Sequence, residues 1–255
     1  MGQKRICFFL FVCLFLFITP CLADTKGTIL QMTTTLENSN TELQYNYAEN
    51  LQDGRGITFG CIGFCTGTYD GNILIKYYTK LNGKNILSKY INPLNKIDAG
   101  KHNRAGGDGN PSTTGLNGFI KDVNNCNDPL FKQAQLYELD QLYYNPATKM
   151  FNSIGAKNPL TLAFIYDMCV RHGPDDTLKL INLAGQTPKQ GVNEITYLTK
   201  LINIRDAKLK RENIGDMNRD IGFKKLLKSG NVDLNTPFIF ISYNEKFKIN
   251  GYTGV

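Results

Sequence analysis

Glu37-Asn38-Ser39, Tyr45-Asn46-Tyr47, Asp53-Gly54-Arg55-Gly56-Ile57-Thr58 and Gly63-Phe64-Cys65-Thr66-Gly67-Thr68-Tyr69-Asp70 make up the stretch that organises this chain. Glu37 follows Ile29, Leu30, Met32 and Leu36, whose spacing suits one face of a helix. Its carboxylate therefore falls at or just past a helix end. Asp53 opens Asp-Gly-Arg-Gly, a turn signal between two Tyr- and Thr-rich stretches that read as extended. A helix end and a hairpin turn can face each other across a cleft. Two carboxylates so placed can serve as proton donor and as base or nucleophile in cleaving a glycosidic bond. In a chain with 22 acidic residues, a pair of carboxylates alone does not name the reaction.

Working outward, the periodicity predicts a mainly α chain with a small β region near the N-terminus. Helices are expected over 26–37, 70–81, 128–144, 147–154, 160–171, 176–184, 194–212 and 219–229, with short helical pieces near 85–91 and 93–97. Extended segments are expected over 41–48 and 57–62, and the tail around Phe238-Ile239-Phe240-Ile241 also reads as extended. The 128–144 helix, apolar nearly all the way round, is expected to be a buried spine between two lobes. Residues 99–118, rich in Gly and Asn, read as a long surface loop, either a binding edge or a tolerated insertion.

Residues 1–23 read as a secretory signal peptide: Lys4 and Arg5, an apolar core from Ile6 to Ile18, then Cys21-Leu22-Ala23 at the cleavage site. That predicts an exported protein with no membrane association after cleavage, residues 24–255 forming one catalytic domain of two lobes. The formal net charge of +7 includes Lys4 and Arg5, so the remainder carries +5. Lys and Arg are dispersed, and Lys208-Leu209-Lys210-Arg211 sits where cations complement a helix C-terminus; a nucleic-acid partner is not expected. Cys61, Cys65, Cys126 and Cys169 allow three disulfide pairings or remain buried thiols. Two His and a lone Cys-x₃-Cys do not make a zinc site, so no metal and no cofactor is expected.

Two charges stand where charges are costly. Asp167 interrupts the apolar run of 160–171, and Arg205 shares the face of Ile195, Leu198, Ile202 and Leu209. Buried charges need partners, so the two either pair with each other or reach solvent at a helix edge.

The opening stretch is similar to that of glycoside hydrolase family 46 chitosanases. Later segments agree in order: Phe131-x-Gln133-Ala134-Gln135, Asp140-x-x-Tyr143-x-x-Pro146-Ala147, Tyr166-Asp167, His172-Gly173-Pro174, Thr196-Tyr197-Leu198 and Gly230-Asn231-x-Asp233-Leu234-Asn235. The resemblance implies a lysozyme-like two-lobed fold, a monomer acting on the polycation chitosan, and hydrolysis of β-1,4 linkages with inversion. It makes Glu37 the general acid, Asp53 the general base and Thr58 the residue that positions the water. Substrate contacts match Tyr47, Arg55, Asp70, His172 and Glu212, with Asp53, Asp70 and Glu212 lining an acidic cleft. Asp167, Arg205 and Arg219 match a structural ion-pair network behind the acid. Other readings are a core Tyr47, a turn-forming His172, and an Arg55 that shapes the Asp53 turn, the last being preferred because Arg suits a cationic sugar poorly. A lysozyme-like muramidase and a non-catalytic glucosamine-polymer binder are the alternatives for the whole.

Overall fold

The computed structural model describes residues 25–102, 109–212 and 218–252. The signal-peptide reading of residues 1–23 and the middle of the 99–118 loop lie outside the described residues. Ten α-helices are described: α1 (Thr25–Asn38), α2 (Asp70–Leu81), α3 (Ile91–Asp98), α4 (Phe119–Asn124), α5 (Pro129–Leu139), α6 (Asn145–Ser153), α7 (Pro159–His172), α8 (Pro174–Leu183), α9 (Glu194–Glu212) and α10 (Ile221–Ser229). Two small antiparallel sheets accompany them: β1 (Ala48–Glu49), β2 (Thr58–Phe59) and β3 (Phe64–Cys65), then β4 (Phe238–Ser242) and β5 (Glu245–Ile249). Among the described residues no helix is long and apolar enough to cross a membrane.

The buried spine is not the 128–144 segment. Leu130 and Tyr137 of α5 are exposed, and five residues of π-helix (Asp140–Tyr144) separate α5 from α6. The continuously buried helices are α1, from Gly27 to Leu36, and α7, from Leu160 to Cys169. They pack on each other, with α6, α8 and α10 around α7 and the β4–β5 hairpin against α1 and α10. Four Thr are buried within α1; Thr34 and Thr35 satisfy their hydroxyls on the carbonyls of Leu30 (2.8 Å) and Met32 (2.7 Å).

The N-terminal β region is shorter than the sequence implies. β1 pairs with β2 (Ala48 opposite Phe59) and β2 with β3 (Phe59 opposite Phe64), two residues each, while Tyr45 and Asn46 lie in a turn. Gly60, at positive φ, ends β2, and Gly63, also at positive φ, precedes β3; at Gly56, also at positive φ, a Cβ would collide with Thr66 Oγ1. Side chains take over where the ladder stops. Buried Gln135 of α5 accepts from Cys61 N–H (2.8 Å) and donates to the Tyr45 carbonyl (3.0 Å). Thr66 accepts from Ile57 N–H (2.8 Å), and Asn38 donates to the Cys61 carbonyl (3.2 Å), fixing the end of α1 against this region. The expected α2 appears with its stated bounds, and Asp128 caps α5 by accepting from Leu130 N–H (2.9 Å). All four described cysteines are buried free thiols.

Candidate active site

Glu37 stands in the last turn of α1, whose burial fixes where its carboxylate emerges. Arg219, in the turn before α10, donates Nη2 to Glu37 Oε1 and also to Asp167 Oδ1 (2.7 Å), with Nε on Asp167 Oδ2 (3.1 Å). Asp167 accepts a further bond from Arg205 Nη1, and Arg205 Nη2 reaches Asp220. The result is an alternating chain, Glu37–Arg219–Asp167–Arg205–Asp220, whose last four side chains are at most 2% exposed. Three carboxylates against two guanidiniums leave a formal charge of −1. Tyr243 accepts from Arg219 Nη1 (3.1 Å), and the Arg205 guanidinium lies 4.1 Å from the centre of the Phe164 ring.

The neighbours set the protonation of the chain. Burial alone would raise Asp167, but Arg219 and Arg205 outweigh it and hold the carboxyl below its ordinary value. Asp220 has only Arg205 to oppose its burial, and its carboxyl is raised. The proton affinity of the chain is thus uneven: the two guanidiniums lower it at Asp167, and burial raises it at Asp220.

Asp53 sits at the tip of the β1–β2 connection. Partial burial pushes its carboxyl up; Arg55 more than reverses this, donating Nε (3.0 Å) and Nη2 (2.6 Å) to Oδ2 and its own N–H to Oδ1 (3.1 Å). The carboxyl is therefore held below the usual Asp range, ionised at neutral pH. Arg55 also feels the field of Glu37. Thr58 is nearly buried on β2, its hydroxyl 3.5 Å from Cys65 Sγ. Tyr47 donates to Glu49 (3.0 Å), so its ring is not simply a core element.

Asp70 opens α2 and accepts from Thr68 Oγ1 (2.6 Å), Cys65 N–H (3.2 Å), Gly71 N–H (3.0 Å) and Tyr143 OH (3.3 Å). Burial nevertheless pushes its carboxyl up to about 6. Tyr143 feels both Asp70 and Glu37.

His172 and Glu212 belong to a second group. His172 ends α7; burial, then Arg205, Arg171 and Lys208, push its imidazole down to about 3, so it is neutral. Glu212 ends α9 and accepts from Lys208, which also lies 3.8 Å from Asp176. Asp176, Lys208 and Glu212 border a groove of about 300 Å³ between α8 and α9; His172 is not among the residues that line it. Among the described residues, neither His172 nor Glu212 is hydrogen-bonded to Glu37 or Asp53; His172 feels the fields of Arg205 and Asp167 of the chain. The pairing of Lys208 also shows why Lys208–Arg211 is no free basic patch.

Asp220, Tyr243 and Gln135 have structural roles here that the sequence does not announce. Asp220 adjoins Arg219 at the polar foot of a helix, where a carboxylate reads as a cap, and Gln135 is an amide among α5 apolar residues. Among the described residues, no group of three or more His, Cys, Asp or Glu is placed to hold a metal ion.

The site thus has a helix-end carboxylate held by a buried ion chain and a hairpin carboxylate clasped by Arg55, which feels the field of the first. The profile of glycosyl hydrolase family 46 matches residues 31–238, which include Glu37, Asp53, Thr58, Asp70, Asp167, Arg205, Arg219 and Asp220 and leave out Tyr243. The chain belongs to glycosyl hydrolase family 46. It is 35% identical over 238 residues to a chitosanase of Streptomyces sp. (strain N174), covering 88% of this chain and 82% of that one. A family 46 chitosanase of Gynuella sunshinyii, solved in complex with chitotetraose, superposes with a TM-score of 0.80 at 30% identity, covering 88% of this chain and 97% of that one. Native chitosanase from Bacillus subtilis MY002 gives 0.79 at 31% identity, over 89% and 98%. Family 46 chitosanases share a lysozyme-like, mainly α fold, and this chain has it.

Proposed function

We propose that this family 46 hydrolase is an exported endo-chitosanase that cleaves β-1,4 bonds between glucosamine units with inversion. The observation that carries the reading is the contrast between its two carboxylates. Glu37 has one oxygen tied to Arg219 at the end of a buried ion chain, leaving Oε2 to carry the proton for the leaving oxygen. Asp53 is held ionised by Arg55, the state a general base needs. Thr58 supplies a buried hydroxyl on the strand that follows Asp53 and is assigned the water. In an inverting enzyme the carboxyls stand far enough apart to admit that water. Arg55 shapes the Asp53 turn, while Tyr47, Asp70, His172 and Glu212 are the proposed substrate contacts. The protein is proposed to act as a monomer without a cofactor, residues 1–23 serving as its export signal.

A net positive protein must still attract a polycation. Asp53, Asp70 and Glu212 supply the local negative charge, and local potential governs capture better than net charge. The test is product analysis: chitosan viscosity should fall before much reducing sugar appears, and proton NMR of early products should show the α-anomer. Accumulation of β-anomer would refute inversion.

Asp70 gives a pH-dependent prediction. Its carboxyl, raised from 3.8 to about 6 by burial, is neutral below that pH and charged above it. A raised carboxyl pKa means the folded state binds the proton more tightly than the unfolded state, so this group's contribution to stability declines as pH rises from about 4 to about 6. Wild type should therefore lose stability relative to Asp70→Asn across that window in parallel denaturation series. Carboxyl carbon NMR should show Asp70 titrating near 6; a midpoint below 4 would remove the basis of this expectation.

A further inference from the structure

A groove lies beside the hairpin that carries Asp53. It has a volume of about 670 Å³, within the range typical of ligand sites, and runs between that hairpin and α4. Its hairpin wall is formed by Asn50, which follows β1, and Ile57, which precedes β2. A chain lying in it would pass the base of the loop whose tip is Asp53.

The lining has a consistent chemistry. Ile57, Leu116 and Ile120 give it an apolar floor, and Asn50, Asn117 and Asn124 stand over that floor as carboxamides. Asn50 lines the groove and its Oδ1 accepts from Gln52 N–H (3.0 Å), which leaves its NH₂ group as a donor. The side chains of Asn117 and Asn124 make no hydrogen bond within the described residues. Among the described lining residues, Lys121 is the one that is ionisable. The carboxylate next to it in sequence, Asp122, is already engaged by Lys89 (2.7 Å) and Tyr90 (2.6 Å).

Among the described lining residues, a glucosamine ammonium would meet a cation and no carboxylate. An acetamido group meets the opposite conditions: it is neutral, its N–H and C=O match a carboxamide, and its methyl can lie on Ile57, Leu116 or Ile120. From this charge and hydrogen-bond complementarity we infer that the groove is a second carbohydrate site, taking N-acetylated glucosamine units of a partly acetylated chain. The inference rests on the proposed glucosamine-polymer hydrolysis and adds a substrate feature to it. Cationic units go to the acidic carboxylate side of the hairpin, acetylated units to the amide side.

The test uses the full-length mature protein and three ligands: N-acetylglucosamine hexamer, fully deacetylated chitosan and partly acetylated chitosan. Calorimetry should show the wild type binding the acetylated hexamer. Asn117→Ala with Asn124→Ala, both exposed, should weaken that binding roughly tenfold, the loss expected for two hydrogen bonds of ordinary strength. The same variant should hydrolyse fully deacetylated chitosan at the wild-type rate and show a raised KM, with unchanged kcat, on the partly acetylated polymer. Lys121→Glu should lower KM for the deacetylated polymer by giving the groove a charge that suits ammonium. No hexamer binding by wild type would overturn the inference, as would binding undiminished in the Asn117/Asn124 variant, which would place the hexamer elsewhere. Failure of wild type to hydrolyse deacetylated chitosan would instead strike the proposed function, because the hexamer titration does not depend on turnover.

Discussion

Asp167→Asn should unfold this protein more readily than any other single polar substitution in it. The carboxylate is fully buried and is shared by two guanidiniums, Arg219 and Arg205. Its neutralisation leaves two buried cations with Glu37 and Asp220 as their remaining partners. Breaking a buried pair in this way costs about 3–5 kcal/mol. For a domain of this size that is a fall in Tm of roughly 10 °C. Arg205→Met added to Asp167→Asn should recover only part of the loss, since it strands Asp220, whose charged partner in the chain is Arg205. Adding Asp220→Asn should recover more. A single variant that melts with the wild type would show that the chain does not hold the fold; equal rescue by the double and triple variants would remove Asp220 from it.

The ion chain also shows what a sequence can disclose. Asp167 and Arg205 are conspicuous because each stands alone on an otherwise apolar helical face, and a lone buried charge demands a counter-charge. Asp220 is physically as important to Arg205 but is silent, because next to Arg219 at a helix foot it breaks no pattern. Helix α2 is legible to its ends, since Asp70 opens it and its apolar spacing is regular. The β region is legible in kind and not in length. Its Thr and Tyr content signals strand, yet glycines at positive φ bound β2 and β3, and side chains of Gln135, Thr66 and Asn38 complete the hydrogen bonding. The 128–144 segment misleads for a different reason. Tyr137 is exposed but stacks on Tyr77 at 4.1 Å between centroids, so an apolar residue on the outer face covers a neighbouring helix and not the core. The π-helical turn at Asp140–Tyr144 then shifts the phase of the following helix, which no fixed 3.6-residue period can follow. Helix α4 goes unread because six residues hold too little periodicity.

The two carboxylates should fail in different ways when removed, and this expected difference bears most directly on mechanism. A general acid must carry a proton when the bond breaks, whereas a general base must be ionised. Glu37→Gln keeps the shape of the group and can still face Arg219, but it cannot donate the proton; hydrolysis of ordinary chitosan should be abolished with binding nearly intact. The expected loss is at least the ~10²–10⁴-fold that one acid–base group contributes. A glucosamine substrate bearing a good leaving group needs little protonation and should recover much of that rate. Asp53→Asn leaves protonation intact and removes activation of water, so the same substrate should help it less. Asp53→Gly opens space and also frees the Arg55 guanidinium, which in the wild type is spent on Asp53 through Nε and Nη2. A small anion can then be drawn to the vacated carboxylate position by the same charge that now clasps Asp53. Added azide should therefore revive Asp53→Gly, and inversion of the β-linked polymer should make the product an α-azide. The anomer is read by proton NMR and the rate by reducing ends. Rescue of Glu37→Gln by azide, with Asp53→Gly left inert, would mean that the two roles are exchanged.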